Sequence, residues 1–265
     1  MTETETATAR EWPAPAPGAA ALPKMIVSQA GLEFRILMRN GEQLLLTLII
    51  PVLLLVGFSS EALINVGRGS RIGFIAPGIL ALAVLSTSFT GLAIHTGYER
   101  RYGVLKRIGA TPLSRGGLIA AKALSVLIVQ AGQVVLIVVV SALLGWGPVV
   151  TALSVFGALL VLIGGSAAFS GFAMLLAGTV RAEAALAVAN LIYLVLLGTS
   201  GILFPLTKFP ASIRPVLRLL PSGAMSDGLR GLLRYGTGLP ARDLLVLACW
   251  AVIGIGLAAR TFRWE

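Results

Sequence analysis

The chain has 265 residues, 57% of them hydrophobic and only 12% charged, with a mean hydropathy of +0.92 and a formal net charge of +10. Soluble domains carry about 25% charged residues, so a soluble class is excluded and a polytopic membrane protein is expected. The lone cysteine, Cys249, precludes an intrachain disulfide framework or a cysteine metal site, and the basic residues flank apolar runs without forming the stripe that nucleic acid requires.

Residues 1–23 alternate Thr with Glu and then Pro with Ala, a composition that cannot bury a core, so a disordered cytosolic tail is expected. No apolar run precedes Trp12 and the first basic residue is Arg10, so the segment does not read as a signal peptide. From Lys24 to Asn40, apolar Met25, Ile26, Leu32, Ile36 and Leu37 interleave with Lys24, Glu33, Arg35 and Arg39, the pattern of a helix lying in the membrane interface.

A membrane span needs about 20 apolar residues, and measured against that length the sequence predicts an all-α protein with six spans, at about 43–60, 72–97, 116–144, 149–180, 184–204 and 243–260. Pro51 and Pro77 fall within the first two, and Gly145-Trp146-Gly147-Pro148 divides a long uncharged interval into the third and fourth. Small residues four apart, Ser166 with Ser170 and Ala167 with Gly171, suit close helix packing. Six spans place both termini on one side. With that side cytosolic, thirteen of the 21 Lys and Arg residues fall inside, Lys122 among them as a topology anchor.

Between spans two and three lies a charged island, YERRYGVLKRIGATPLSR, from Tyr98 to Arg115. Helical spacing places Tyr98, Tyr102, Leu105 and Ile108 near one face and Arg100, Lys106 and Arg107 on others. Thr111-Pro112 reads as a cap followed by a first helical position, with Pro112 opening the third span.

No G-x-x-x-x-G-K-[ST] motif occurs, so no P-loop is expected, and neither paired carboxylates nor a metal-ligand cluster is expected within the spans. His95, the single histidine, reads as a structural or interfacial residue close to Glu99. Asn190 differs from the scattered Ser and Thr residues. Its amide has four hydrogen-bond sites to satisfy and must face protein or a pathway.

Two blocks resemble ABC-2 type transporter permeases. The first is Glu99-Arg100, Gly103-Val104-Leu105-Lys106-Arg107 and Ala110-Thr111-Pro112-Leu113, similar to that family's cytosolic loop, with Val104 where Thr is usual. The second is Ser200 to Leu206 with Phe204-Pro205, then Phe209-Pro210, Leu220-Pro221 and Leu229-Arg230, similar to its outer re-entrant helical hairpin. Together they cover about Lys24 to Arg263, which makes 24–265 an ABC-2 transmembrane domain.

The resemblance implies a cytosolic coupling helix that docks in a separate P-loop ATPase subunit through Tyr98, Glu99, Arg100, Arg101, Tyr102, Gly103, Leu105, Lys106, Arg107, Thr111 and Pro112. Two ATPase copies would bind ATP and magnesium, leaving this chain without cofactor or catalytic residue, and a second permease subunit, expected to be identical, would complete the route. Spans one, two and five line that route in the family, which makes Thr47, Ser86, Ser88, Asn190 and Tyr193 the pathway candidates. Phe204, Pro205, Pro210, Pro221 and Arg230 would shape the hairpin. The implied activity is export of a drug, antibiotic or lipid-like compound across a bacterial inner membrane. The rivals are an ion-gradient-driven transporter, which would need intramembrane acids, and a lipid-modifying membrane enzyme, which would need an acid/base or metal constellation.

Overall fold

The computed structural model describes residues 18, 20–60 and 70–261, and every regular element among them is helical. Most of the expected tail, together with residues 61–69 and 262–265, lies outside the described residues.

Helix α1 (Leu22–Arg39) starts on Pro23 and buries only Ala30 and Glu33 completely, packing along α6 (Arg115–Leu143). Helix α2 (Gly41–Ser60) follows directly, with Pro51 inside it. The centre of the molecule is a continuous 31-residue rod, Arg71–Arg101. Its first part, α3 (Arg71–Leu85), is capped by Ser70, whose Oγ accepts from Gly73 N at 3.3 Å, and 14 of its residues from Ile72 to Leu85 are buried. A π-helical turn, Ser86–Gly91, joins it to α4 (Leu92–Arg101). Such a turn inserts one residue into the α register and redirects the side chains on either side of it. Ser86 and Ser88, two positions apart within it, fall on opposite sides of the rod and meet different neighbours.

The rod stops at Tyr102–Gly103. Gly103 adopts φ +71°, a left-handed conformation that ends a helix most cheaply when there is no Cβ. The short α5 (Val104–Gly109) then runs to Thr111, whose Oγ1 donates to Ile108 O at 2.6 Å and closes that helix. The residue that starts α6 is Ser114, accepting from Gly117 N at 3.1 Å, so Thr111-Pro112 is the link and not the cap expected from sequence.

Helix α7 (Ala152–Thr179) opens with a reciprocal Thr151/Ser154 capping box and is followed by α8 (Ala182–Thr199). The final long helix, α11 (Ala241–Thr261), packs extensively along α7. A Cβ on Gly171 would stand 2.6 Å from Ile255 N and 2.7 Å from the Gly254 carbonyl carbon, so the two backbones touch where only glycine fits. Ser166 of the same expected small-residue pattern turns instead toward Ser88 of the π turn.

Among the described residues, five helical segments are long and apolar enough to cross a membrane: the 71–101 rod, α6, α7, α8 and α11; in α2 the apolar run Thr47–Ser59 is shorter. The segment between α8 and α11 folds as α9 (Arg214–Leu219) and α10 (Pro221–Tyr235), and α10 is core, packed on α3 and α7 with Met225, Leu229 and Leu232 fully buried. Pro221 sits in the first turn of α10, where its missing N–H leaves nothing unpaired.

Candidate functional site

A groove of about 680 Å³ opens between α2, the rod and α8. Thr47 and Ile50 come from α2, Ser86, Thr90 and His95 from the rod, and Asn190 and Tyr193 from α8. Four of the five pathway candidates therefore line one cavity. The fifth, Ser88, faces away from it, lying 3.0 Å from Ser166 Oγ and accepting a hydrogen bond from Gln130 Nε2. Tyr98 and Tyr102, stacked with ring centroids 6.2 Å apart, reach the groove from its charged end, so three of the chain's four tyrosines border it. Among the described residues, no Lys, Arg, Asp or Glu lines the groove.

Behind this wall a polar network ties the helices together. Thr87 Oγ1 donates to Gln133 Oε1 at 2.9 Å, and Gln133 Nε2 donates to the Thr47 carbonyl at 2.9 Å. With the Gln130–Ser88–Ser166 chain, it joins α2, the π turn, α6 and α7 in the apolar interior. Interhelical bonds of this kind contribute about 0.6 kcal/mol each on average, so their main effect is to fix which face of the rod meets the groove.

At the charged end sits a cluster that sequence reading missed. Lys122 of α6 is fully buried, its Nζ donating to Glu33 Oε1 of α1 at 2.8 Å and to Glu99 Oε2 of α4 at 2.6 Å. His95 Nε2 lies 3.2 Å from Glu99 Oε1 and 3.7 Å from Glu33 Oε2. Burial pushes the Glu33 carboxyl up, but the Lys122 ammonium, the His95 contact and the Gln29 amide outweigh it and hold the pKa at about 2. His95 Nε2, Glu33 and Glu99 form a ligand set compact enough for a metal ion, yet Lys122 already supplies a cation to both carboxylates. Lys122 is thus buried in an ion-paired cluster, and two carboxylates, Glu33 and Glu99, come together at the charged end of the helices. The available signals were a lone Glu33 in an amphipathic helix and the i, i+4 pair His95/Glu99.

The docking residues divide by where they point. Tyr102 (70% exposed), Lys106, Arg107, Thr111 and Pro112 lie on the outer surface, as does Val104. Leu105 is fully buried within this chain's own core, and Glu99 is buried against Lys122. Arg100 donates to the carbonyls of Ala177 at 2.9 Å and Val180 at 2.6 Å, at the end of α7, and Arg101 pairs with Glu183 of α8.

In the α9–α10 segment, Arg230 is 5% exposed and ties three parts together. Its Nε donates to Phe74 O at 3.2 Å, its Nη2 donates to Ile202 O at 2.8 Å, and its guanidinium lies 3.8 Å over the Phe74 ring. Ser226 Oγ donates to Ser200 O at 2.9 Å, fastening α10 to the end of α8. Phe204 is exposed, Pro205 half-buried and Pro210 exposed.

The helices and the groove between them make this a helical, multi-pass membrane protein with a cavity within its helical bundle. The family model described as ABC-2 type transporter matches residues 31–233, and the chain belongs to that family of permeases, whose members normally pair with an ATPase subunit. No curated protein sequence matches the chain.

Proposed function

We propose that the chain is the permease subunit of an ATP-driven exporter that carries a lipophilic or amphiphilic cargo, drug-, antibiotic- or lipid-like, through the groove between α2, the rod and α8. The observation that carries this reading is the lining itself. Thr47, Ser86, Thr90, Asn190 and three tyrosines punctuate walls that, among the described residues, carry His95 as their one titratable group besides the tyrosines. Such a surface suits an amphiphile better than an ion or a sugar. In this reading α2 is the first of six spans, α1 lies in the inner interface, α9–α10 re-enters the outer leaflet, both termini are cytosolic, and the membrane is a bacterial inner membrane. Two copies, each bound to a cytosolic ATPase that holds ATP and magnesium, form the assembly. Docking rests on the exposed face of α5 and its approach: Tyr102, Val104, Lys106 and Arg107.

The test is affinity purification from native membranes in mild detergent, with identification of co-purifying chains and an ATP hydrolysis assay. A stoichiometric P-loop ATPase that is lost on Val104→Asp supports the reading. A chain that purifies alone overturns it. The buried Glu33–Lys122–Glu99–His95 cluster favours one rival, an ion-gradient-driven transporter. Transport that stops with a protonophore while ATP is held constant would support that alternative.

A further inference from the structure

Glu99, Arg100 and Arg101 are consecutive, yet each engages a different part of the molecule. Glu99 binds Lys122 of α6 and through it Glu33 of α1. Arg100 places two donors on the carbonyls of Ala177 and Val180, groups that a helix C-terminus leaves without intrahelical partners and that carry the negative end of its dipole. Arg101 pairs with Glu183, in the first turn of α8. Seven residues further along that helix stands Asn190, two turns on and near the same face, in the groove wall.

All three residues belong to the last turn of α4, and only Tyr102 and Gly103 separate them from α5. A displacement of α5 therefore reaches this triplet before any other element. Their partners are the inner ends of α1, α6, α7 and α8. We infer that Glu99, Arg100 and Arg101 form an intramolecular transmission junction, joining α5 to the groove walls, and that they take no part in holding the ATPase. This rests on the ATPase-driven reading above. It separates two roles that the sequence pattern merges: docking, left to the exposed Tyr102, Val104, Lys106 and Arg107, and transmission, assigned to the triplet whose side chains pair within this chain.

The roles are separable because the Arg101–Glu183 pair is solvent-exposed, with side chains 52% and 61% accessible, so its loss leaves folding intact. The experiment uses the chain with Cys249→Ser and Asn190→Cys, in membranes that also contain its ATPase. The rate of labelling of residue 190 by a fluorescent maleimide is measured without nucleotide and with ATP plus vanadate. The expected result is a nucleotide-dependent rate that is lost in Arg101→Glu and in Glu183→Arg, is restored in the double charge swap, and is lost again in Arg100→Ala. The ATPase should co-purify in every case. Loss of the ATPase from either single charge variant would overturn the junction, as would a nucleotide response that persists in both or fails to return in the swap. A background protein with no nucleotide response, together with no ATP-dependent transport by the chain carrying Cys249→Ser alone, would refute the ATPase-driven reading itself, and the junction with it. Since Arg100→Ala also removes a helix-end contact, its folding is checked by gel filtration, and the charge swap decides if it fails.

Discussion

Replacing Lys122 by Met should reveal how strongly the charged cluster holds the inner end of the protein. The side chain is fully buried and lies within 2.8 Å of one carboxylate and 2.6 Å of another, on two different helices. Met keeps the volume and removes the charge, leaving Glu33 and Glu99 with only His95 between them. Removing one partner of a buried ion pair costs about 3–5 kcal/mol. At about 2–4 °C per kcal/mol for a chain of this size, the midpoint should fall by roughly 10 °C. Followed by intrinsic fluorescence in detergent at pH 7.5, that shift is well resolved. The cost is electrostatic, so it should respond to protonation. Without the ammonium, burial dominates at Glu33 and raises its pKa, the folded state then binds protons more readily than the unfolded one, and acidification toward pH 5.5 should return part of the loss. Adding Glu33→Gln should likewise recover most of it. An unchanged midpoint in Lys122→Met, or a double variant no more stable than the single, would refute the assignment of Lys122 as the cation of this cluster.

The intact protein should show the opposite pH dependence. Glu33 is held at about 2 against an ordinary 4.5, so its stabilising contribution is complete above pH 4.5 and disappears as pH falls toward 2; acid titration of the midpoint should show a smaller loss in Glu33→Gln. Gly171→Ala forces a methyl against the α11 backbone at 2.6 Å and should lower thermal stability by about 1–3 kcal/mol, whereas Gly164→Ala, which meets only the Leu247 side chain at 3.4 Å, should be tolerated. Arg230→Ala removes the donor to the Ile202 carbonyl, the second donor to the Phe74 carbonyl and the contact with the Phe74 ring, and should cost about 2–3 kcal/mol, with limited proteolysis locating the loosening between α8 and α10.

The helices were legible because apolar runs of membrane length admit few other structures, and the groove was partly legible because polar residues in such runs must find polar surroundings. Thr47, Ser86, Asn190 and Tyr193 meet in one cavity on that principle. Ser88 does not: two positions from Ser86, it falls on the opposite side of the rod, and its partner Ser166 lies 78 residues away in sequence. The charged island was misleading for a different reason. Basic residues beside a span read as solvent-facing, but Arg100 satisfies carbonyls at a helix end that is distant in sequence. Lys122 was read as an anchor for the same reason: its partners lie 89 and 23 residues away, and only the tertiary fold brings them together. Leu105 matched the amphipathic pattern correctly as an apolar residue, but its burying surface is this chain's own core. The proline-punctuated segment was expected to be a helical hairpin, and it does hold the helices α9 and α10; that α10 packs against α3 and α7 was not visible, because its apolar partners are distant in sequence.

The central claim, that the groove is the route of an ATP-driven export, is tested most directly in inverted membrane vesicles containing the chain and its ATPase. A panel of fluorescent amphiphiles is assayed for accumulation with ATP, with and without a protonophore, in the native protein and in Ser86→Trp, which fills the groove from the rod. The account predicts ATP-dependent accumulation of at least one probe that survives the protonophore and is abolished by Ser86→Trp. Accumulation driven by a proton gradient without ATP, or ATP-driven accumulation unaffected by Ser86→Trp in a normally folded protein, would contradict it.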